Sequence, residues 1–196
     1  MFVIGITGGV GSGKSLVAKL ASRKYNAGLL IADKLGHVVM EPGRPAFNKI
    51  IEMFGSSILG QDGSIDRKKL ADIVFNNDKA WSGMNSIIHP EVMMYIENYI
   101  GSRRDQEGYI ILETAIMYET GCDRFCNEIW YVYVPEDARI KRLSENRGYT
   151  EEKSRSIIKK QKPDSFFMER AGRIIDNTGS IKDLENIIAS FPGTLP

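Results

Sequence analysis

A chain of 196 residues with 42% hydrophobic and 26% charged residues has the size of one ordinary domain and the composition of a folded one, which excludes collagen-like and disordered classes. Twenty-six Lys+Arg against 25 Asp+Glu give a formal charge of +1, which argues against a general nucleic-acid coat or a polybasic membrane binder. Cys122 and Cys126 are the two cysteines. They cannot make a disulfide framework, and reduced thiols in the cytoplasm are the expectation. The longest apolar runs fall far short of the ~18 residues of a membrane span, and the N-terminus reads as no signal peptide.

In chain order, Phe2 to Thr7 is a short apolar, β-branched run that stops at glycines and predicts a fully buried strand. Lys14 to Lys24 follows, with Leu16, Val17, Leu20 and Ala21 on one helical face. Leu29 to Ala32 is a second strand, and Tyr109 to Leu112, Trp130 to Val134 and Arg173 to Ile175 are three more. Between them lie helical patterns over 46–54, 67–75, 91–100, 136–145, 151–161 and 181–189. Strands separated by helices predict βαβ units and a parallel sheet covered on both faces, an α/β fold. The stretch from about 41 to 105 is almost all helix and reads as a cap beside the sheet.

One motif carries most of the functional information. Gly8-Gly9-Val10-Gly11-Ser12-Gly13-Lys14-Ser15 fits G-x-x-x-x-G-K-[ST], after a strand and opening a helix, as the motif requires. Glycines let successive N–H groups curl around a polyphosphate, and the helix N-terminus adds partial positive charge. Lys14 is expected to reach the β and γ phosphates and the Ser15 hydroxyl to coordinate Mg²⁺. Leu16 would add a backbone N–H. The motif predicts nucleoside-triphosphate binding.

Other residues must say what is done with the triphosphate. Asp33 ends the second predicted strand, where it could take a proton from an attacking hydroxyl; it could equally cap the helix that follows. Glu113 ends the third strand and could organise Mg²⁺ or simply be a solvated strand end; Glu119 leans to the latter. His89, before Pro90 and between two helical patterns, is more often a hinge than a ligand, and His37 is weaker still. Residues 139–173 hold eleven Lys+Arg and five acids, a local +6. Such a basic hairpin can close over phosphates, although several of its charges will be i,i+4 pairs on a solvated face. Arg142 and Arg147 are the better candidates there, flanking the bend at Gly148.

With these residues in place the chain resembles the dephospho-coenzyme A kinase family, from about residue 3 to 190. The resemblance is carried by IGITGGVGSGKS at 4–15, ADKLGHVVMEPG at 32–43, DGSIDRKKLADIVF at 62–75, IIHPEV at 87–92, ETAIMYETG at 113–121, RIKRL at 139–143, NRGYT at 146–150 and IIDNTGS at 174–180. It implies a P-loop fold like that of nucleotide monophosphate kinases, with a core of about 1–40, 106–138 and 172–196. It also implies a helical substrate-binding insertion of about 41–105 and a mobile lid of about 139–171. It further implies ATP and Mg²⁺, Asp33 as base for the 3′-hydroxyl of dephospho-coenzyme A, and Arg142 at the phosphoryl-transfer site. Arg147 would lie in the lid, His89 in the substrate region and Asn177 near the adenine. Two departures stand out: Ile31 occupies the first position of a common Asp-Ala-Asp, and Ala115 a position commonly Pro.

Other classes fit less well. A nucleoside or nucleotide kinase shares the same core. A GTP switch would use Asp33-Lys34-Leu35-Gly36 as D-x-x-G but lacks a guanine-reading Asn-Lys-x-Asp. An RNA-binding adaptor lacks the stacking aromatics such a surface needs, so neither nucleic acid nor membrane is the expected partner.

Overall fold

The elements run β1 (Phe2–Thr7), α1 (Lys14–Lys24), β2 (Gly28–Ile31), α2 (Ala32–Val38), α3 (Pro45–Phe54), α4 (Arg67–Val74), α5 (Asp78–Gly101), β3 (Tyr109–Glu113), β4 (Glu128–Tyr133), α6 (Glu136–Arg147), α7 (Glu151–Lys159), α8 (Asp164–Met168), β5 (Arg173–Asp176) and α9 (Ile181–Ser190). The computed structural model describes residues 1–75 and 77–191; the predicted core's last residues, 192–196, lie outside them. The chain divides into two units, Met1–Ile31 with the described residues from Arg103 onward, and Ala32–Ser102.

The first unit is built on a five-stranded sheet in the order β2-β3-β1-β4-β5, every pair parallel. Central β1 is buried from Val3 to Thr7, which is why its sequence is a continuous apolar run rather than an alternating one. Alternation survives in which face each residue covers. Ile4 and Ile6 of β1, Ile111 of β3, Trp130 and Val132 of β4 and Ile175 of β5 pack with Val17, Ala18 and Ala21 of α1 and with Leu184 and Ile188 of α9. Each large side chain so buried contributes roughly 1.5–3 kcal/mol. On the opposite face Gly5 lies so close to Cys126 and Met117 that a Cβ would stand 2.6 Å from Sγ and 2.9 Å from Cε. Tyr131 of β4 stacks there on Phe167 of α8, centroids 5.0 Å apart and planes 2° apart.

The second unit is helical. Ala46 and Ile50 of α3, Ile58, Ile65, Leu70 and Val74 of α4, and Ile88, Val92 and Ile96 of α5 are buried. Asp66 caps α4 by accepting from the N–H groups of Lys68 and Lys69. A tight turn precedes it, with Asp62 accepting from Ser64 N–H and Oγ–H and Gly63 at φ 78°.

The five strands stand where the apolar runs predict them, to within one or two residues. Two local expectations are corrected. Asp33 does not end a strand: β2 stops at Ile31, and Asp33 is the second residue of α2, inside its first turn rather than at its cap. His89-Pro90 does not separate two helices: α5 is one helix of 24 residues with Pro90 inside it. A proline in a helix interior costs about 3 kcal/mol. Ile88, Val92 and Ile96 recur at i, i+4 and i+8 on the buried face, and their burial outweighs that cost, while Pro90 itself is exposed.

Candidate active site

The loop between β1 and α1 is shaped by two left-handed glycines, Gly11 at φ 81° and Gly13 at φ 83°. Residues with a Cβ rarely adopt that conformation. Gly13 is the N-cap of α1 and provides no side chain, so the N–H groups of Lys14 and Ser15 have no side-chain acceptor at the cap and remain available to an anion. Ser12 N–H closes the loop on Gly9 O at 3.1 Å. Gly8 sits against Ser12 Oγ and Val132 O, 2.7 and 2.8 Å from where a Cβ would be. The hydroxyls of Thr7 and Ser12 are buried without a hydrogen-bond partner among the described residues.

The third strand delivers a carboxylate to the helix start. Glu113, at the end of β3, is 1% exposed. Ser15 Oγ donates to its Oε2 at 3.2 Å, and Lys14 Nζ lies 3.9 Å from its Oε1. The register that pairs Ile6 with Glu113 sets this, because parallel strands end together and the loop and the acid leave from the same edge. A buried carboxylate between a lysine and a hydroxyl is not a solvated strand end. Glu119 takes no part in this group.

The far side of the loop is held by α6 and the turn after β5. Arg142 donates to Asn177 O at 2.7 Å and to Ser12 O at 3.5 Å. Asn177 is buried, and its Nδ2 donates to Ser12 O at 2.8 Å. A Cβ on Gly13 would stand 2.4 Å from that same Nδ2. Arg139, 5% exposed, lies over Gly9, where a Cβ would come within 2.2 Å of Nη2. Its Nε donates to Val10 O at 2.9 Å.

Of the residues singled out in the sequence, the structure therefore brings together Gly8, Gly11, Ser12, Gly13, Lys14 and Ser15 with Arg142, Asn177 and Glu113. Leu16 N–H is engaged with Gly13 O at 2.9 Å, and its side chain packs toward the core. Arg147, the last residue of α6, is exposed. Asp33, exposed on α2, and His89, half-buried on α5, belong to the helical unit. Burial holds the His89 imidazole below its ordinary value. The same holds for His37, where burial leads, Arg67 adds to it and Asp33 opposes it. That unit has its own cavities, one of about 130 Å³ lined in part by Arg44, Glu91, Tyr95 and Asn98 and one of about 110 Å³ lined in part by His37, Glu41, Ser64 and Arg67.

Several charges of the basic segment are paired locally. Arg155 bonds Glu151 and Glu136, Lys141 pairs with Glu145 and Arg170 with Glu169. Sequence reasoning missed Arg139, Gln161 and Asp164 as members of the loop's support. Their only sequence signal is Tyr131, a tyrosine in a buried strand whose hydroxyl must find a partner; it donates to Asp164 at 2.6 Å.

The dephospho-CoA kinase family model matches residues 2–183. A dephospho-CoA kinase of Carboxydothermus hydrogenoformans is 37% identical over 190 residues, 96% of this chain and 92% of that one. Among solved structures, a protein from Thermus thermophilus superposes with a TM-score of 0.75 at 28% identity, covering 96% of this chain and 94% of that one. A dephospho-CoA kinase from Campylobacter jejuni gives 0.68 at 22% identity over 95% and 93%, a likeness of fold.

Proposed function

The chain belongs to the dephospho-CoA kinase family, and from that premise we infer that it transfers the γ-phosphoryl group of ATP to the ribose 3′-hydroxyl of dephospho-coenzyme A, giving coenzyme A and ADP. The observation that carries this reading is the extent of the family match. Residues 2–183 include both the phosphate loop and the helical unit Ala32–Ser102, and the loop alone would serve many acceptors.

In this reading the Lys14 ammonium neutralises charge on the β and γ phosphates, and the loop's N–H groups and the start of α1 hold the remaining oxygens. Ser15 and Glu113 offer hard oxygen donors within 3.2 Å of each other. That suits Mg²⁺, which takes one or two protein oxygens and completes its shell with phosphate and water; when bound, the ion would supply charge neutralisation on the phosphates. Asp33 accepts the proton of the 3′-hydroxyl as the new O–P bond forms and the bond to the ADP oxygen breaks. Arg142 keeps donors beyond those given to Ser12 and Asn177, and with Arg147 it meets the transferring group. The adenine lies near Asn177. His89 and the helical unit read the acceptor, and binding energy from its remote parts orients the reacting hydroxyl.

Cys122 and Cys126 form no disulfide, and burial first, then Cys122 and Asp123, pushes the Cys126 thiol up to about 12. Inert thiols suit a cytoplasmic enzyme. No helix among the described residues is long and apolar enough to cross a membrane.

The test is a coupled ADP-release assay with dephospho-coenzyme A, AMP, adenosine or no acceptor. Dephospho-coenzyme A is expected to give by far the highest kcat/KM, and His89→Ala to erode that preference. Equal use of AMP or adenosine would favour a nucleotide or nucleoside kinase.

A further inference from the structure

Both backbone polar groups of Val10, in the middle of the phosphate loop, are held by side chains from far along the chain. Val10 N–H donates to Gln161 Oε1 at 2.9 Å, and Val10 O accepts from Arg139 Nε at 2.9 Å. The two side chains also bond each other, Arg139 Nη2 donating to Gln161 Oε1 at 3.0 Å. Arg139 Nη1 lies 3.6 Å from Asp164 Oδ1, the oxygen that accepts from Tyr131. We propose that Arg139 and Gln161 are positioning residues for the nucleotide: they fix Val10, and so make the affinity of the loop for a triphosphate depend on the segment that joins α7 to α8.

The chemistry of the loop gives the reason. A glycine-rich segment has the most conformational entropy to lose, and a site built from its N–H groups binds tightly only when those groups are already aimed. The loop's own hydrogen bond, Ser12 N–H to Gly9 O, does not touch Val10. Gln161 also turns the Val10 N–H into the protein, which commits the phosphate-facing role to the donors that follow it. Burying a guanidinium is expensive, and an apolar side chain commonly stabilises a core at least as well. Asp164 balances the charge of Arg139, while Gln161, a neutral acceptor, connects it to the loop. Gly9 fits the same arrangement, because the guanidinium occupies the space its Cβ would take.

This inference rests on the proposed function only in requiring that a nucleotide occupies the loop. Its test compares Gln161→Met, which keeps length and removes the acceptor, with Gln161→Glu, which keeps an acceptor oxygen for both Val10 N–H and Arg139. Calorimetric titration with ATP in the absence of acceptor gives Kd, steady-state assays give KM for each substrate, and thermal melting reports the fold. Gln161→Met is expected to weaken ATP binding roughly tenfold and to raise KM for ATP without a matching rise for the acceptor. Gln161→Glu should stay within about threefold of the parent. If Gln161→Met does not fold, Gln161→Asn, which draws the carboxamide back by one methylene, should show the same selective weakening. Unchanged ATP binding in the folded acceptor-less variant would overturn the proposal, as would a Gln161→Glu variant no better than Gln161→Met, or equal losses for both substrates accompanied by a lower Tm. Because the titration omits the acceptor, a failure of dephospho-coenzyme A as substrate would leave this result standing.

Discussion

Replacing Gly13 by alanine tests whether the loop is held from behind as the contacts indicate. Gly13 sits at φ 83°, and an added Cβ would lie 2.4 Å from Asn177 Nδ2. The left-handed conformation costs a non-glycine residue roughly 1–2 kcal/mol. Asn177 must also move, breaking its 2.8 Å bond to the Ser12 carbonyl; that oxygen keeps Arg142 Nη1 at 3.5 Å, so the loss is that of one hydrogen bond, roughly 0.5–1.5 kcal/mol. Gly13→Ala should therefore destabilise the protein by roughly 1.5–3.5 kcal/mol and lower Tm by about 3–14 °C. The decisive assay is a double-mutant cycle by thermal and urea unfolding. Asn177→Ala alone loses the same hydrogen bond and also removes the clash, so the double variant should cost less than the sum of the singles by roughly 1–2 kcal/mol. Additivity within about 0.5 kcal/mol would show that the two residues do not meet as described, and the account of the loop's support would fail.

Three further outcomes are expected. Glu113→Gln keeps the shape of a buried side chain and removes its charge; kcat should fall by roughly 10²-fold and the Mg²⁺ concentration for half-maximal rate should rise, whereas a purely structural acid would change Tm and leave the Mg²⁺ dependence alone. Asp33→Asn should lose roughly 10²–10⁴-fold in kcat with little change in Tm, since Asp33 is exposed and no cap; full activity would remove it from the mechanism. His37 and His89 are both held below the ordinary 6.5 when folded, burial being the leading cause. The unfolded chain therefore binds more protons, and stability should be full above about pH 6.5 and decline as pH falls below it. His89→Gln should flatten that decline in Tm-against-pH profiles, and an unaltered profile would contradict it.

Much of this architecture is legible in the sequence for a physical reason. Strands buried on both faces read as uninterrupted apolar runs, so β1, β3 and β4 stand out, whereas edge strand β5, with Ile175 alone buried among its four residues, is marked only by a short Ile-Ile pair; the phosphate loop announces itself by glycines between a strand and a lysine. Other features depend on packing that no local pattern reports. Pro90 signals a helix end by every local rule, yet Ile88, Val92 and Ile96 carry α5 through it. α2 is only seven residues long and contains Gly36, too short for periodicity to declare it. Glu113 read equally well as a solvated strand end, because its burial beside Lys14 and Ser15 comes from the strand register and from no local pattern. Arg139 is one of eleven basic residues in its segment, and nothing nearby marks it as the buried one, because its partners Val10 and Gln161 lie 129 and 22 residues away. Asn177 entered through family resemblance alone; its bond to Ser12 spans 165 residues.

Product identity is the most direct check on the central claim. The purified chain would be incubated with ATP, Mg²⁺ and dephospho-coenzyme A, and the product examined by mass spectrometry and phosphorus NMR. The account predicts one added phosphoryl group per acceptor, coupled to the ribose 3′ proton, with ADP formed in equal amount. ADP formed without a phosphorylated acceptor, or a phosphoryl group attached elsewhere than the 3′-oxygen, would contradict it.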